Sequence, residues 1–589
     1  MVSTLWLVGG GIVLYTLVAM ALKAQGRLPE AIRVQGPITT IHTQRGKAFL
    51  NWLAGPKRFW RAWGNLGVGI ALVVMVGSFA LVAFAAISAV RNPTPTALNE
   101  PQNVLAIPGV NDFLPLSVAP EILTGLLIGL VVHEGGHGLL CRVEDIDIES
   151  MGLALLAFIP IGAFVEPSEA SRNRASRGGQ TRMFAAGVTN NFAVSVVAFL
   201  LLFGPVAGSI SVVAGVPIGG SLQGSPARDA GIDRGTVITS VDGESVADAD
   251  AMQATLAESR ADSVPVELES GETVTVQREV LVTVAVRDAP IAVNETVTAV
   301  NGSRVSTVGS FEDAVQSRPV ADLTVRNQSG TRSVQLPIGT YSLVAPDGAL
   351  AGQTDLSGGE TVIITAIGGN RTVDFDDLSA VLDARQPGDT VSVTGYVGGY
   401  DGERRTVEVD LGGSGSDAQL GVRVQRGVSG FVLDDFGVDV YPSNTFLTVL
   451  GGNGGGGLGG IERAYLTLVL PFASLTLPDV GYNFAGFVGP VTNFYTVSGP
   501  LGLLGAGFAF FLANLLFWTA WINLIIGQFN CVPAYPLDGG HILRTTTETV
   551  VSRLPVSNGR ALTSAVTTTV SIVMILGLLV MVFGPRLLT

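Results

Sequence analysis

The sequence predicts a polytopic α-helical membrane protein of about six transmembrane helices, interrupted by one extracytoplasmic α/β block. Three observations carry this prediction. The 589-residue chain is 47% hydrophobic and only 14% charged, against about 25% charged in an ordinary soluble domain. Its apolar residues collect in runs of about 20, the length that crosses the hydrocarbon core. Its acidic residues collect elsewhere: residues 220–430 hold 30 Asp and Glu against 15 Arg and no Lys, a net −15. The whole chain carries −14, so the remainder is close to neutral. This composition excludes a disordered chain. An acidic block is also a poor partner for nucleic acid, so none is expected. The Lys-poor, acidic surface resembles that of proteins from extreme halophiles, although a GC-rich genome gives a similar excess of Arg.

The apolar runs are 3–22, 66–90, 120–141, 184–207, 501–527 and 562–584. The first lacks a basic n-region and is followed by basic residues, so it reads as a retained helix and not a cleaved signal. Lys and Arg in short loops set the orientation. The loop 23–65 holds eight basic residues, from Lys23 to Arg61, and one acid, Glu30, so it is expected to be cytoplasmic. Segment 92–119, with Glu100 and Asp112, is then outside. Segment 142–183, with Arg172 to Arg182, is inside, as is 528–561 with Arg544, Arg553 and Arg560. The acidic block falls outside, and the chain sits in the cell membrane as a multi-pass protein in contact with lipid. Residues 461–480 are apolar but broken by Pro471 and Pro478; a span there would invert every later loop, so an interfacial or re-entrant segment is expected.

The acidic block contains an internal repeat. TVITSVDGESV (236–246), TVTAVNGSRV (296–305) and VIITAIGGNRTV (362–373) each read as strand, Gly turn, short strand, with a short helical stretch after. GSPARDAGI (224–232) precedes the first copy, and that arrangement resembles a PDZ domain of the bacterial protease type. Tandem PDZ-like domains are therefore expected over 216–430. Around them stand an accessory transmembrane hairpin with its basic loop (1–119), a first core half (120–215), a Gly-rich linker with the interfacial segment (431–500) and a second core half (501–589).

Chemistry concentrates at VVHEGGHGLL (131–140). His133 and His137, four apart, share one face of a helix and can reach one Zn²⁺, with Glu134 beside the bound water as general base. Ionisable groups within a membrane helix are costly and mark function. Catalytic zinc takes three protein ligands plus water. The remaining histidines are His42 and His541, so a carboxylate is expected as the third ligand. Asp538, in NCVPAYPLDGGHIL (530–543), is the obvious one and His541 its competitor. Cys141 and Cys531 lie close by, but a buried free cysteine usually packs as a small hydrophobe.

These motifs resemble those of the site-2 proteases, zinc metalloproteases that cut within the membrane. The family pattern is His-Glu-x-x-His, then Gly-x-x-x-Asn (here Gly187 and Asn191), then Asn-x-x-Pro-x-x-x-x-Asp-Gly (here Asn530, Pro533, Asp538 and Gly539). Val188 after Gly187, where many bacterial members have Pro, and the stretch 151–167 resemble the animal-type branch. The resemblance implies one catalytic zinc on His133, His137 and Asp538. It implies water activation by Glu134, and contacts from Asn191 and Asn530 to the substrate backbone or the oxyanion. It also implies a transmembrane protein as substrate, and the loop topology puts the site near the cytoplasmic side. The PDZ-like block has two readings: it binds a C-terminal peptide freed by an earlier cut, or it acts as a size filter that admits only trimmed substrates. Two other classes fit the sequence less well. A catalytically silent scaffold has no need of Glu134, and a metal transporter requires polar groups along a path where most helices here have none.

Overall fold

The computed structural model describes residues 4–93, 107–111, 114–157, 159–452, 456–477 and 480–588. Glu100, Asp112 and Pro478 lie outside them. The chain divides into two compact units. One comprises Met1–Ser211, Asn444–Gly489 and Thr496–Thr589, the other Val212–Ser443 and Pro490–Tyr495.

The first unit is built on helices α1 (Thr4–Ala24), α2 (Gln44–Leu53), α3 (Lys57–Arg91), α4 (Ala119–Val143), α5 (Arg177–Leu201), α6 (Ala506–Asn530), α7 (Asp538–Val551) and α8 (Gly559–Leu587). Among the described residues, five helical stretches are long and apolar enough to cross a membrane, those containing α3, α4, α5, α6 and α8. The sixth expected span is α1, of which Gly9–Ala24 ranks only as a shorter apolar helix. Segment 461–480 forms a ten-residue helix, Gly460–Val469, and two short helical turns to Thr476, none of spanning length.

Helices α4, α5 and α6 meet through small residues, as membrane helices do when packing replaces the hydrophobic effect as the driving force. A Cβ on Gly125 would lie 3.1 Å from the Thr519 backbone nitrogen, and one on Gly136 would lie 2.8 Å from the Ala186 oxygen. The backbones approach closely only because both positions lack side chains.

Four strands form one antiparallel sheet in chain order: β1 (Ile32–Gln35), β2 (Ile38–His42), β3 (Ile148–Leu156) and β4 (Ile159–Pro167). The stretch 151–167 is therefore the body of a hairpin. A second hairpin from the basic first loop extends it, with Ile41 opposite Leu153. Strand β4 is an outer strand of the sheet.

The second unit holds three six-stranded sheets of one design. In each copy the turn predicted from sequence has two consecutive residues at positive φ: Asp242 and Gly243, Asn301 and Gly302, Gly368 and Gly369. That is the backbone of a tight two-residue hairpin, and Asn, Asp and Gly tolerate it best. The tandem arrangement expected over 216–430 gives way to a nested one. The first sheet is completed by Val438–Val440 on Val216–Ser221, the second by Phe431–Asp434 on Val280–Ala285, the third by Val422–Val424 on Thr340–Val344. Each copy is thus inserted within the one before it, and the block ends beyond residue 430. Each sheet covers its own apolar core, with Phe436 buried in the first and Phe431 in the second.

Candidate metal centre

Helix α4 carries His133, Glu134 and His137, and α7 begins at Asp538. The four-residue spacing brings both imidazoles onto one face, where the helix start delivers the carboxylate. Asp538 Oδ2 lies 3.0 Å from His133 Nε2 and 3.2 Å from His137 Nε2, and the two Nε2 atoms are 3.2 Å apart. Three lone-pair atoms at such mutual distances repel one another unless a cation or protons lie between them. Corners of a tetrahedron with bonds of about 2.0 Å stand about 3.3 Å apart, so the triangle has the size of three zinc ligands.

The surroundings fit the same ion. His137 Nδ1 donates to the Met183 carbonyl at 2.8 Å. That bond fixes the tautomer and leaves the Nε2 lone pair facing Asp538, the usual support of a metal-bound histidine. Asp538 Oδ2 and His133 Nδ1 are buried without a hydrogen bond among the described residues. Gly187 on α5 completes the cradle, since a Cβ there would lie 2.7 Å from His137 Nε2 and 2.8 Å from His133 Cε1. Among the described residues, His133, His137 and Asp538 are the group of His, Cys or acidic side chains close enough to hold a metal ion.

Comparison with known proteins agrees. A model of peptidase family M50 matches residues 121–577. This chain belongs to peptidase family M50. Over 84 residues it is also 34% identical to a zinc metalloprotease of Methanocaldococcus jannaschii, a stretch that covers 13% of this chain and 24% of that protein. The chain thus matches about a quarter of that relative's length. Family membership and this relative together support a zinc metallopeptidase.

In this M50 chain, Glu134 reaches the sheet. Its Oε2 accepts the Val165 backbone N–H of β4 at 3.0 Å. Asn191 is fully buried one turn beyond Gly187, with its Nδ2 3.5 Å from the Gly129 carbonyl and its Oδ1 unpartnered. Asn530 is half-buried and donates to Ile526 O of its own helix at 3.0 Å. His541, the competing ligand, stays outside the triangle; its ring stacks on Phe184 at 4.4 Å and contacts the Tyr535 hydroxyl. His42 lies in β2 against Phe164. Cys531 is buried, and burial pushes its thiol up to about 12, with Asp538 adding to the shift. Among the described residues it is not one of the groups that close on the triangle.

Sequence reasoning missed one buried polar group packed against the helix that carries the histidines. Asn523 of α6 is fully buried with an unpartnered Oδ1, 3.4 Å from where a Cβ on Gly129 would lie. An Asn at the centre of an apolar helix is the signal that marks it. Gly187 was visible as part of a motif, but its contact with both imidazoles depends on the packing of α5 on α4.

Proposed function

We propose that this chain is a zinc-dependent intramembrane endopeptidase that hydrolyses a peptide bond within or near a transmembrane helix of a membrane-anchored protein. The observation that carries the reading is the His133–His137–Asp538 triangle, with two of its corners on a helix apolar enough to cross the membrane. Zinc held there would polarise the scissile carbonyl and lower the pKa of a bound water to about 7. Glu134, next to a ligand and on the same helix, is the carboxylate that would serve as general base toward such a water and return the proton to the leaving amine.

A transmembrane helix hides its amides in its own hydrogen bonds, so it must unwind before it is cut. We assign its docking place to the outer edge of β4, where it would lie as an added strand beside Glu134. A substrate or oxyanion role for Asn191 and Asn530 requires that their present bonds open on binding. The acidic block, read as nested PDZ-like units on the extracytoplasmic side, would hold a C-terminus freed by an earlier cut or exclude substrates that have not been trimmed. Its removal must include the returning strands up to Val440, because a cut at 430 leaves them orphaned.

The test is cleavage of a model transmembrane substrate by the detergent-solubilised chain, with the cut mapped by mass spectrometry. The reading expects a cut in or beside the apolar segment, abolished by a chelator and restored by zinc. Cleavage indifferent to chelator contradicts it.

A further inference from the structure

Beside the metal triangle lies a cavity of about 770 Å³ whose lining includes Glu134. That volume is within the range of about 300–1,000 Å³ typical of ligand sites. One wall is a face of the sheet. Cross-strand pairing sets Ile41 opposite Leu153 and Leu153 opposite Ala163, with Met151 opposite Val165, so these side chains share one face, and all five line the cavity. The facing wall comes from α2 and the start of α3, with Phe49, Trp60 and Trp63. Two of these rings are pinned. Trp60 Nε1 donates to the Leu53 carbonyl at 2.8 Å, and Trp63 Nε1 donates to Asn190 Oδ1 at 3.0 Å. The floor is α4 itself at Gly135, where an added Cβ would find no atom within 4 Å. The family match begins at residue 121, so β2, α2 and α3 stand outside it.

We propose that this cavity is the side-chain pocket that selects the residues flanking the cut, and that the segment 41–63 sets its specificity. The proposal rests on the peptidase reading and deepens it. Side chains alternate across a strand. A substrate strand laid along β4 therefore turns every second side chain toward the sheet face that walls the cavity, and the bond between them passes Glu134. Apart from Glu134, Asn190 and Thr43 the lining is apolar, and Asn190 is already bonded to Trp63, so the occupant is a pair of bulky apolar side chains, Leu or Phe, two residues apart in the unwound substrate. This also gives a role to the basic first loop, which the metal chemistry does not use. Its hairpin widens the sheet, and its helix α2 closes the pocket.

Two experiments with the full-length chain test this. The first measures kcat/KM on a transmembrane substrate carrying Ala, Leu or Phe at the two alternate positions around the mapped cut. Wild type is expected to favour Leu or Phe over Ala by roughly tenfold or more. Gly135→Leu fills the open floor and should reduce that preference at least tenfold while zinc content is unchanged. Phe49→Ala, at an exposed rim position, should weaken it and admit Trp. Equal cleavage of all substrates by wild type, or an unchanged preference in both variants, overturns the pocket assignment and leaves the peptidase reading standing.

The second places a photoreactive amino acid at Phe49 in the Glu134→Gln protein, reconstituted in bilayers with the same substrate. A substrate adduct that maps to an alternate position and disappears in Gly135→Leu supports the pocket. Adducts with lipid alone overturn it.

Discussion

Gly187→Ala separates the metal site from the stability of the fold. Alanine at a helix interior is favoured over glycine by about 1 kcal/mol, so α5 itself should gain. The new methyl, however, would stand 2.7 Å from His137 Nε2 and 2.8 and 2.9 Å from His133 Cε1 and Nδ1. Ordinary contact begins at 3.4 Å, so each ring must retreat by roughly 0.5–0.7 Å, or α5 must move. A zinc site tolerates displacements of about 0.2 Å. Second-layer changes of this kind typically lower metal affinity 10–100-fold, which is about 1.4–2.8 kcal/mol at 1.4 kcal/mol per tenfold. The assay is zinc affinity by chelator competition in detergent, beside the thermal midpoint of the zinc-free protein. The expected pair of results is weaker zinc binding with an unchanged or raised midpoint. Zinc affinity within about twofold of wild type would refute the cradle argument, because the methyl would then have found room that the geometry does not show.

Three further outcomes follow from the structure. Ala163→Pro removes an N–H on the same side of β4 as that of Val165, away from β3, so the sheet should survive; loss of one main-chain bond to a docked strand should lower kcat/KM roughly three- to tenfold, and an unchanged value contradicts strand addition. Arg278 is fully buried, ion-paired to Asp435 and bonded to the Leu256, Ser259 and Ala261 carbonyls. Arg278→Ala leaves that carboxylate unpaired and should destabilise the acidic block by about 3–5 kcal/mol, read as the urea midpoint of proteolytic nicking between 212 and 443 in the full chain. Glu295 is buried, which alone would raise its carboxyl. Hydrogen bonds from the Ala292 N–H, Asn327 and Arg332 nonetheless hold it below its usual 4.5. The unfolded chain therefore binds the proton more readily, and the contribution of this group is present above pH 4.5 and lost as pH falls through the lower folded value. The same nicking assay between pH 6 and pH 3 should show a steeper loss for wild type than for Glu295→Gln, and parallel curves would contradict it.

Much of this was legible in the sequence, for a physical reason in each case. Two histidines four apart need only a helix to share a face, and the run 120–141 supplies one. Spans could be read because the bilayer imposes a length. Hairpin turns could be read because Gly, Asn and Asp at paired positions announce positive φ. The nested closure was hidden, because Val438–Val440 pairs with Val216–Ser221 across more than 200 residues, and a three-residue strand carries no local pattern of its own. Likewise, the ITTIH stretch of β2 alternates too briefly to stand out within a basic loop, so its addition to the 148–167 hairpin was not foreseen. Asn191 shows the opposite limit: its motif was visible, but only packing reveals that its amide reaches the Gly129 carbonyl.

The central claim is that Glu134 acts on a water at a zinc held by His133, His137 and Asp538. The most direct test is zinc content and cleavage of a transmembrane substrate by wild type and Glu134→Gln, prepared side by side. The account predicts about one zinc in both proteins, since Glu134 is not a ligand, and a loss of at least roughly a hundredfold in cleavage by the variant, the scale of general-base catalysis. Loss of zinc on Glu134→Gln, or cleavage at the wild-type rate without that carboxylate, would contradict it.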